Sequence, residues 1–120
     1  MHPHIDSFAF GSIVIEGTRY DHDVVIRSDG SVEKREIKLS KSATGTGHLV
    51  SVDEAEHIWS DGVTTVVVGT GQKGVLKLSA EAREFFELMK CEIILNRTPI
   101  VIRSWNRLKD NAIGLFHVTC

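Results

Sequence analysis

The stretch VTTVVVGTGQKG, Val63 to Gly74, opens with a run that is β-branched without interruption from Val63 to Val68. Such side chains are stiff at χ1, and a run free of charge fits a strand covered on both faces. Glycines follow at 69, 71 and 74, so the chain leaves that strand where backbone passes close to its neighbours. VLKL is short and alternating, and Ser79 is placed to cap a helix. In that helix Ala82, Phe85, Phe86 and Met89 recur at i, i+3, i+4 and i+7, a core-facing stripe. A covered strand that feeds a helix calls for a layered α/β sheet.

Working towards the C-terminus, EIIL (Glu92 to Leu95) reads as a second buried strand. Thr98-Pro99 supplies an N-cap and a first-turn proline, with Ile100, Val101, Trp105 and Leu108 on the inner side. The β-branched residues there keep a strand over Thr98 to Ile102 as a competing assignment. Asp110-Asn111 closes the segment, and Ala112 to Val118 forms the last strand. Working back, Ser51 and Glu54 have the spacing of a capping box. Ala55, Ile58 and Trp59 continue as a stripe, and Gly62 is suited to end the helix. KLSKSATGTGH, Lys38 to His48, is polar, glycine-bearing and aperiodic, and reads as an exposed loop. Lys34, Arg35, Lys38 and Lys41 collect beside it as a solvated edge, or as a contact for an anion or acidic partner. The first third, SIVIE, RYDHDVVIR and SVEKREI, is broken at Gly17-Thr18 and Ser28-Asp29-Gly30 and reads as an antiparallel meander. The organisation is therefore an N-terminal β meander followed by α-β-α-β-α-β, in one domain spanning 1–120.

Hydrophobic residues make up 42% of the chain and charged residues 25%, enough for a core without disulfides or metal. A net charge of −2 argues against nucleic acid or an anionic membrane as partner. No apolar run approaches the roughly 20 residues of a membrane span. MHPHIDSFAFGS lacks the basic and apolar regions of a leader, so the expected location is cytoplasmic. Cys91 and Cys120 are expected as reduced thiols, Cys91 as a small core residue. The histidines at 2, 4, 22, 48, 57 and 117 include no i, i+4 pair, and neither a metal nor a cofactor is expected. His2 and His4 read as part of a frayed tail.

Three places hold chemistry-bearing residues. Gly69-Thr70-Gly71 begins a literal G-x-G-x-x-G, but the next helix starts too late for a dinucleotide. It reads as a structural loop, with an anion or small ligand on its N–H groups as the sharper alternative. His48, after Gly45 and Gly47, sits where acid–base work is feasible but has no local carboxylate or nucleophile. His117 and Cys120 lie an odd number of residues apart, which in a regular strand puts them on opposite faces. A Cys–His dyad needs contact at about 3 Å. An α-carboxylate on Cys120 would also disfavour its thiolate. No catalytic residue is assigned, and the segment reads as a structural strand end.

GTGHLVSVDEAEHIW (45–59), VTTVVVGTG (63–71) and the terminal FHVTC (116–120) carry a resemblance over about Phe10 to Cys120. In this order they resemble a small single-domain α/β family of unknown function. It includes a methanogen archetype, the adipogenesis-associated domain protein of animals and, distantly, mitochondrial complex I assembly factor three. The His117-x-Thr119-Cys120 pattern is its most specific part, followed by Gly69-x-Gly71. Trp105-Asn106 stands where the family has a tyrosine or similar residue before asparagine. The resemblance implies a three-layer α/β domain with a mixed central sheet, its last strand antiparallel to its neighbours. A plain α/β reading makes that strand parallel. Only the parallel arrangement brings His117 and Cys120 to the Gly69–Gly71 loop. The resemblance lends no catalytic residues and implies a non-enzymatic assembly or regulatory module with a protein partner. The rival is a small-ligand or anion binder, or an enzyme, using Gly69-Thr70-Gly71 with His48 or His117. A redox-responsive Cys120 is a third reading. The edge strands of a meander leave a homodimer open.

Overall fold

In the computed structural model, which describes residues 2–120, the chain begins with β1 (Ile5–Ala9), β2 (Ser12–Ile15), β3 (Thr18–Tyr20), β4 (Val24–Ile26) and β5 (Val32–Lys34). It continues with α1 (Ile37–Thr44), β6 (Leu49–Val50), α2 (Val52–Ile58), β7 (Thr65–Gly69) and β8 (Lys77–Leu78). α3 (Ala80–Leu88), β9 (Glu92–Asn96), α4 (Thr98–Arg107) and β10 (Ala112–Phe116) complete it. The meander divides. β1, β2 and β3 form a small antiparallel sheet, while β4 and β5 join a central sheet of order β5-β4-β10-β7-β9. β6 and β8 make a separate parallel pair.

β10 is the centre of the main sheet and sets its mixed character. It runs parallel to β7, with Gly114 opposite Val67, and antiparallel to β4, with Gly114 opposite Ile26. The antiparallel orientation implied by the resemblance thus holds towards β4 and fails towards β7. Every residue of β7 and β10 is buried, as a strand with both faces covered requires. Alternate side chains serve two cores. Val66, Val68, Ile113 and Leu115 meet Ala55 and Ile58 of α2 and Ala82 and Phe86 of α3. Val67, Ala112 and Phe116 meet Val101 and Trp105 of α4 and Ile5, Ile13 and Ile15 of the small sheet. Helices lie on one face, and a helix with a small sheet on the other, giving the three layers. No helix among the described residues is long and apolar enough to cross a membrane.

Several local expectations need correction. Most of Lys38 to His48 is helix, because α1 spans Ile37–Thr44 and ends at Gly45, whose φ of 82° places it in the left-handed region. α1 buries Ser40 rather than an apolar stripe, so its sequence carries no helical signal. α2 stops at Ile58, with the Trp59 N–H bonded to the Ala55 carbonyl, and Gly62 serves the following turn instead. β9 is an edge strand with Glu92, Leu95 and Asn96 exposed, not a doubly buried one. Thr98 to Ile102 is helical. Arg97 occupies the cap position of α4, and Ile100 faces solvent. The N-terminal segment is docked, not frayed. The Trp105 indole N–H donates to the Pro3 carbonyl at 2.9 Å, and the Asn106 amide brackets the main chain of Ile5.

Candidate functional site

β10 ends at Phe116, and residues 117–120 are not strand, so face alternation stops one residue before His117. The segment is instead laid along the loop after β7. The His117 N–H bonds the Gly69 carbonyl at 2.9 Å. The Thr98 hydroxyl donates to the His117 carbonyl at 2.7 Å and accepts from the Gly71 N–H at 2.9 Å. The Gln72 N–H reaches the Thr119 carbonyl, and the Lys73 and Val75 N–H groups reach the Cys120 main-chain oxygen at 3.3 and 3.0 Å. The Thr70 N–H donates to the Asn96 carbonyl. These N–H groups of the Gly69–Gly71 region are therefore engaged by the protein's own chain. Glycine is required at 71. Its φ is 97°, and a Cβ there would stand 2.5 Å from the Cys120 carbonyl carbon and 2.6 Å from the His117 ring.

His48 arrives from the other side. β6 pairs with β8, and the Lys77 N–H bonds the His48 carbonyl at 3.0 Å. The Cys120 Sγ then lies 3.6 Å from His48 Nε2, and the His48 and His117 rings meet edge-on with centroids 5.6 Å apart. One ligand atom from each of His48, His117 and Cys120 falls within 4.8 Å of the other two. The expectation that the imidazole of 117 and the thiol of 120 look away from each other is overturned. It assumed strand geometry that the chain no longer has.

Behind His117 is a buried polar network that the sequence reading missed. His117 Nδ1 meets the Asp23 carboxylate at 2.9 and 3.0 Å, and the Val118 N–H donates to Asp23 Oδ1 at 2.9 Å. Arg35 donates to Asp23 Oδ2 at 3.1 Å and forms a two-bond fork with Glu54 at 2.7 and 3.0 Å. The Ser40 hydroxyl also donates to Glu54. Glu54 therefore does not close a reciprocal capping box, although Ser51 does accept from its N–H. Burial pushes the Asp23 carboxyl up, but hydrogen bonds from His117, the Val118 N–H and Arg35 outweigh it, leaving its pKa below the ordinary value. Burial likewise opposes charge on Arg35, and Glu54 and Asp23 outweigh it in favour of the guanidinium. The Asp23 carboxylate accepts from the Nδ1–H of His117, which fixes the ring with Nε2 at its far end. The Thr119 hydroxyl lies 3.2 Å from that Nε2. A signal for part of this was present. The turn at Ser28-Asp29-Gly30 sets Val24 opposite Lys34, and one step further places Asp23 beside Arg35.

Next to the network is a cleft of about 540 Å³, lined among others by His22, Lys34, Ile37, Lys41, His48 and His117. Cys120 lies outside this lining, against His48. Two imidazoles and a thiol, with a carboxylate behind one ring, suit general-base chemistry or metal ligation.

Among solved structures, the conserved hypothetical protein PH1505 of Pyrococcus horikoshii OT3 is 32% identical. It matches over 97% of this chain and 98% of that one, with a TM-score of 0.86. MT938 is 24% identical over 98% of this chain and 99% of its own, at a TM-score of 0.84. A Mth938-like domain from Bordetella pertussis is 15% identical over 97% of this chain and 85% of that one, at 0.63. At such identities the last two bear on the fold alone. No curated protein matches the chain. The profile of a family described as a protein of unknown function, DUF498/DUF598, matches residues 5–114, and this chain belongs to that family.

Proposed function

We propose that this protein binds a compact anionic small molecule in the cleft between α1, the β4–β5 pair and residues 117–119. One observation carries the reading: His48 and His117, far apart in sequence, line the same cleft of about 540 Å³ as Lys34 and Lys41. That volume is typical of small-molecule sites. Arg35 is committed to Glu54 and Asp23, so the two exposed lysines supply the free positive charge. Ile37 and Val118 add apolar surface. The anion therefore belongs in this cleft, not on the Gly69-Thr70-Gly71 loop, whose N–H groups bond the protein itself. A cytoplasmic setting with both thiols reduced is part of this reading.

A thermal-shift panel of carboxylates and phosphate esters tests it. A ligand at 100 times its dissociation constant adds about 2.7 kcal/mol of stability. The Lys34→Glu/Lys41→Glu variant should abolish that gain. A panel without a hit, or hits that survive both substitutions, ends the proposal.

A second reading, a partner-binding module of assembly or regulatory type, is favoured by the uncovered edge of β9. Leu95 on that strand, Leu88 in the helix before it and Ile100 in the helix after it are exposed. Such an edge pairs with another strand, a second copy of this chain included. Light scattering over a dilution series should show association that Leu95→Lys removes. A monomer at every concentration excludes self-pairing.

A further inference from the structure

We propose that His48 Nε2, His117 Nε2 and Cys120 Sγ form a site for a borderline-soft divalent transition metal, zinc in the first instance, with the fourth position open towards the cleft. Zinc holds sulfur at about 2.3 Å and imidazole nitrogen at about 2.0–2.1 Å in tetrahedral geometry. Those lengths put a sulfur and a nitrogen ligand roughly 3.5 Å apart. The Cys120 Sγ and His48 Nε2 stand 3.6 Å apart, and the whole set lies within 4.8 Å. The remaining closure falls to the side chains of exposed His48 and partly exposed Cys120.

The groups behind His117 are those a ligating histidine requires. Such a ring donates its other N–H to a carboxylate or carbonyl, which fixes tautomer and orientation. His117 does so to Asp23, and Asp23 is itself held by Arg35 and the Val118 N–H. His117 is 5% exposed, so its ring cannot turn freely. The other two ligands hang from pinned backbone, His48 by the Lys77 N–H and Cys120 by those of Lys73 and Val75. One group competes. The Thr119 hydroxyl at His117 Nε2 must rotate away, which a partly exposed threonine can do. Two imidazoles and a thiolate select zinc, cobalt, nickel or copper over magnesium and calcium. Binding transfers the Cys120 thiol proton to solvent, so affinity rises with pH. Three protein ligands and an open position is the ligand count of catalytic rather than structural zinc sites. The site shares His48 and His117 with the proposed anion cleft, but its geometry does not depend on an anion being bound. Where an anion enters the cleft, its donor atom completes the coordination.

The test is titration of the reduced, chelator-treated 120-residue chain with Co(II), followed by competition with Zn(II). One equivalent should bind and give the near-ultraviolet charge-transfer band of a cobalt–thiolate bond. Cys120→Ser should remove the band, and His48→Ala should weaken zinc binding by tenfold or more. Asp23→Asn should weaken it 10–100-fold. Cys91→Ser is the control, because Cys91 is buried against the Val63 carbonyl, and its band must persist. Circular dichroism melts establish that each variant is folded before binding is read. No charge-transfer band, or zinc affinity unchanged by His48→Ala and Cys120→Ser together, overturns the site. Anion binding by metal-free protein in the thermal-shift panel reports separately on the cleft.

Discussion

A methyl group added at Gly71 would meet main-chain atoms of Cys120, which cannot swing aside as a side-chain tip can. The left-handed backbone adds its own cost. Gly71→Ala should therefore destabilise by roughly 2–4 kcal/mol in urea unfolding. It should also disturb the Cys120–His48 contact, which thiol alkylation rates would register. The Arg35–Glu54 pair is buried on both sides. Arg35→Met strands a buried Glu54 carboxylate and should cost about 3–5 kcal/mol. Arg35→Met with Glu54→Leu should cost much less, because replacing both partners of a buried pair is often close to neutral. Asp23 links stability to pH. Its folded pKa is below its unfolded value, so its contribution is complete above about pH 4 and is lost as pH falls through the folded pKa. Unfolding at pH 7 and pH 3 should show a smaller acid loss for Asp23→Asn than for the unaltered chain. At this scale the sequence was only partly legible. His48, His117, Cys120, Gly69 and Gly71 stand out singly, because glycine, cysteine and histidine carry meaning alone. Asp23, Arg35 and Glu54 look like any surface charges until the hairpin register and the α2 packing bring them together. The Cys120–His117 geometry was misjudged because nothing local says that the strand ends at Phe116.

At the scale of elements, local chemistry spoke where one face is buried by its own side chains. α3 follows from its Ser79 cap and its Ala82–Phe86 stripe. The Ser79 hydroxyl accepts from the Ala82 N–H at 3.0 Å. Ser79→Ala should cost about 1 kcal/mol, and Ser79→Asp should keep most of the stability, with the urea m-value unchanged in both. α1 was illegible for the opposite reason. It docks through Ser40 on Ser51 and Glu54, so its sequence lacks the apolar period that identifies a helix. β9 has an apolar run like that of β7 but between Glu92 and Asn96, and its place at the edge depends on pairings made elsewhere in the chain. Sheet order is non-local, and no window of sequence contains it.

Over the whole molecule, the main sheet divides the interior into two cores that share only the strands between them. Ile58 belongs to one and Ile5 to the other. Ile58→Val and Ile5→Val should each cost about 0.5–1.5 kcal/mol, and the pair should add to within roughly 0.5 kcal/mol. Coupling well above that would mean that the sheet transmits repacking from one face to the other. The general architecture was legible because a covered strand, capped helices and a broken meander admit few arrangements. The position of β10 was not, because its parallel contact with β7 and antiparallel contact with β4 join segments that local patterning treats as unrelated. That position has a consequence for biosynthesis. As the polypeptide leaves the ribosome, β4–β5 and β7–β9 emerge as two strand pairs with no ladder to join them. Each keeps a raw edge until the residues around Gly114 are released and wedge between them, so cooperative closure of the main sheet waits for the segment that also delivers His117 and Cys120.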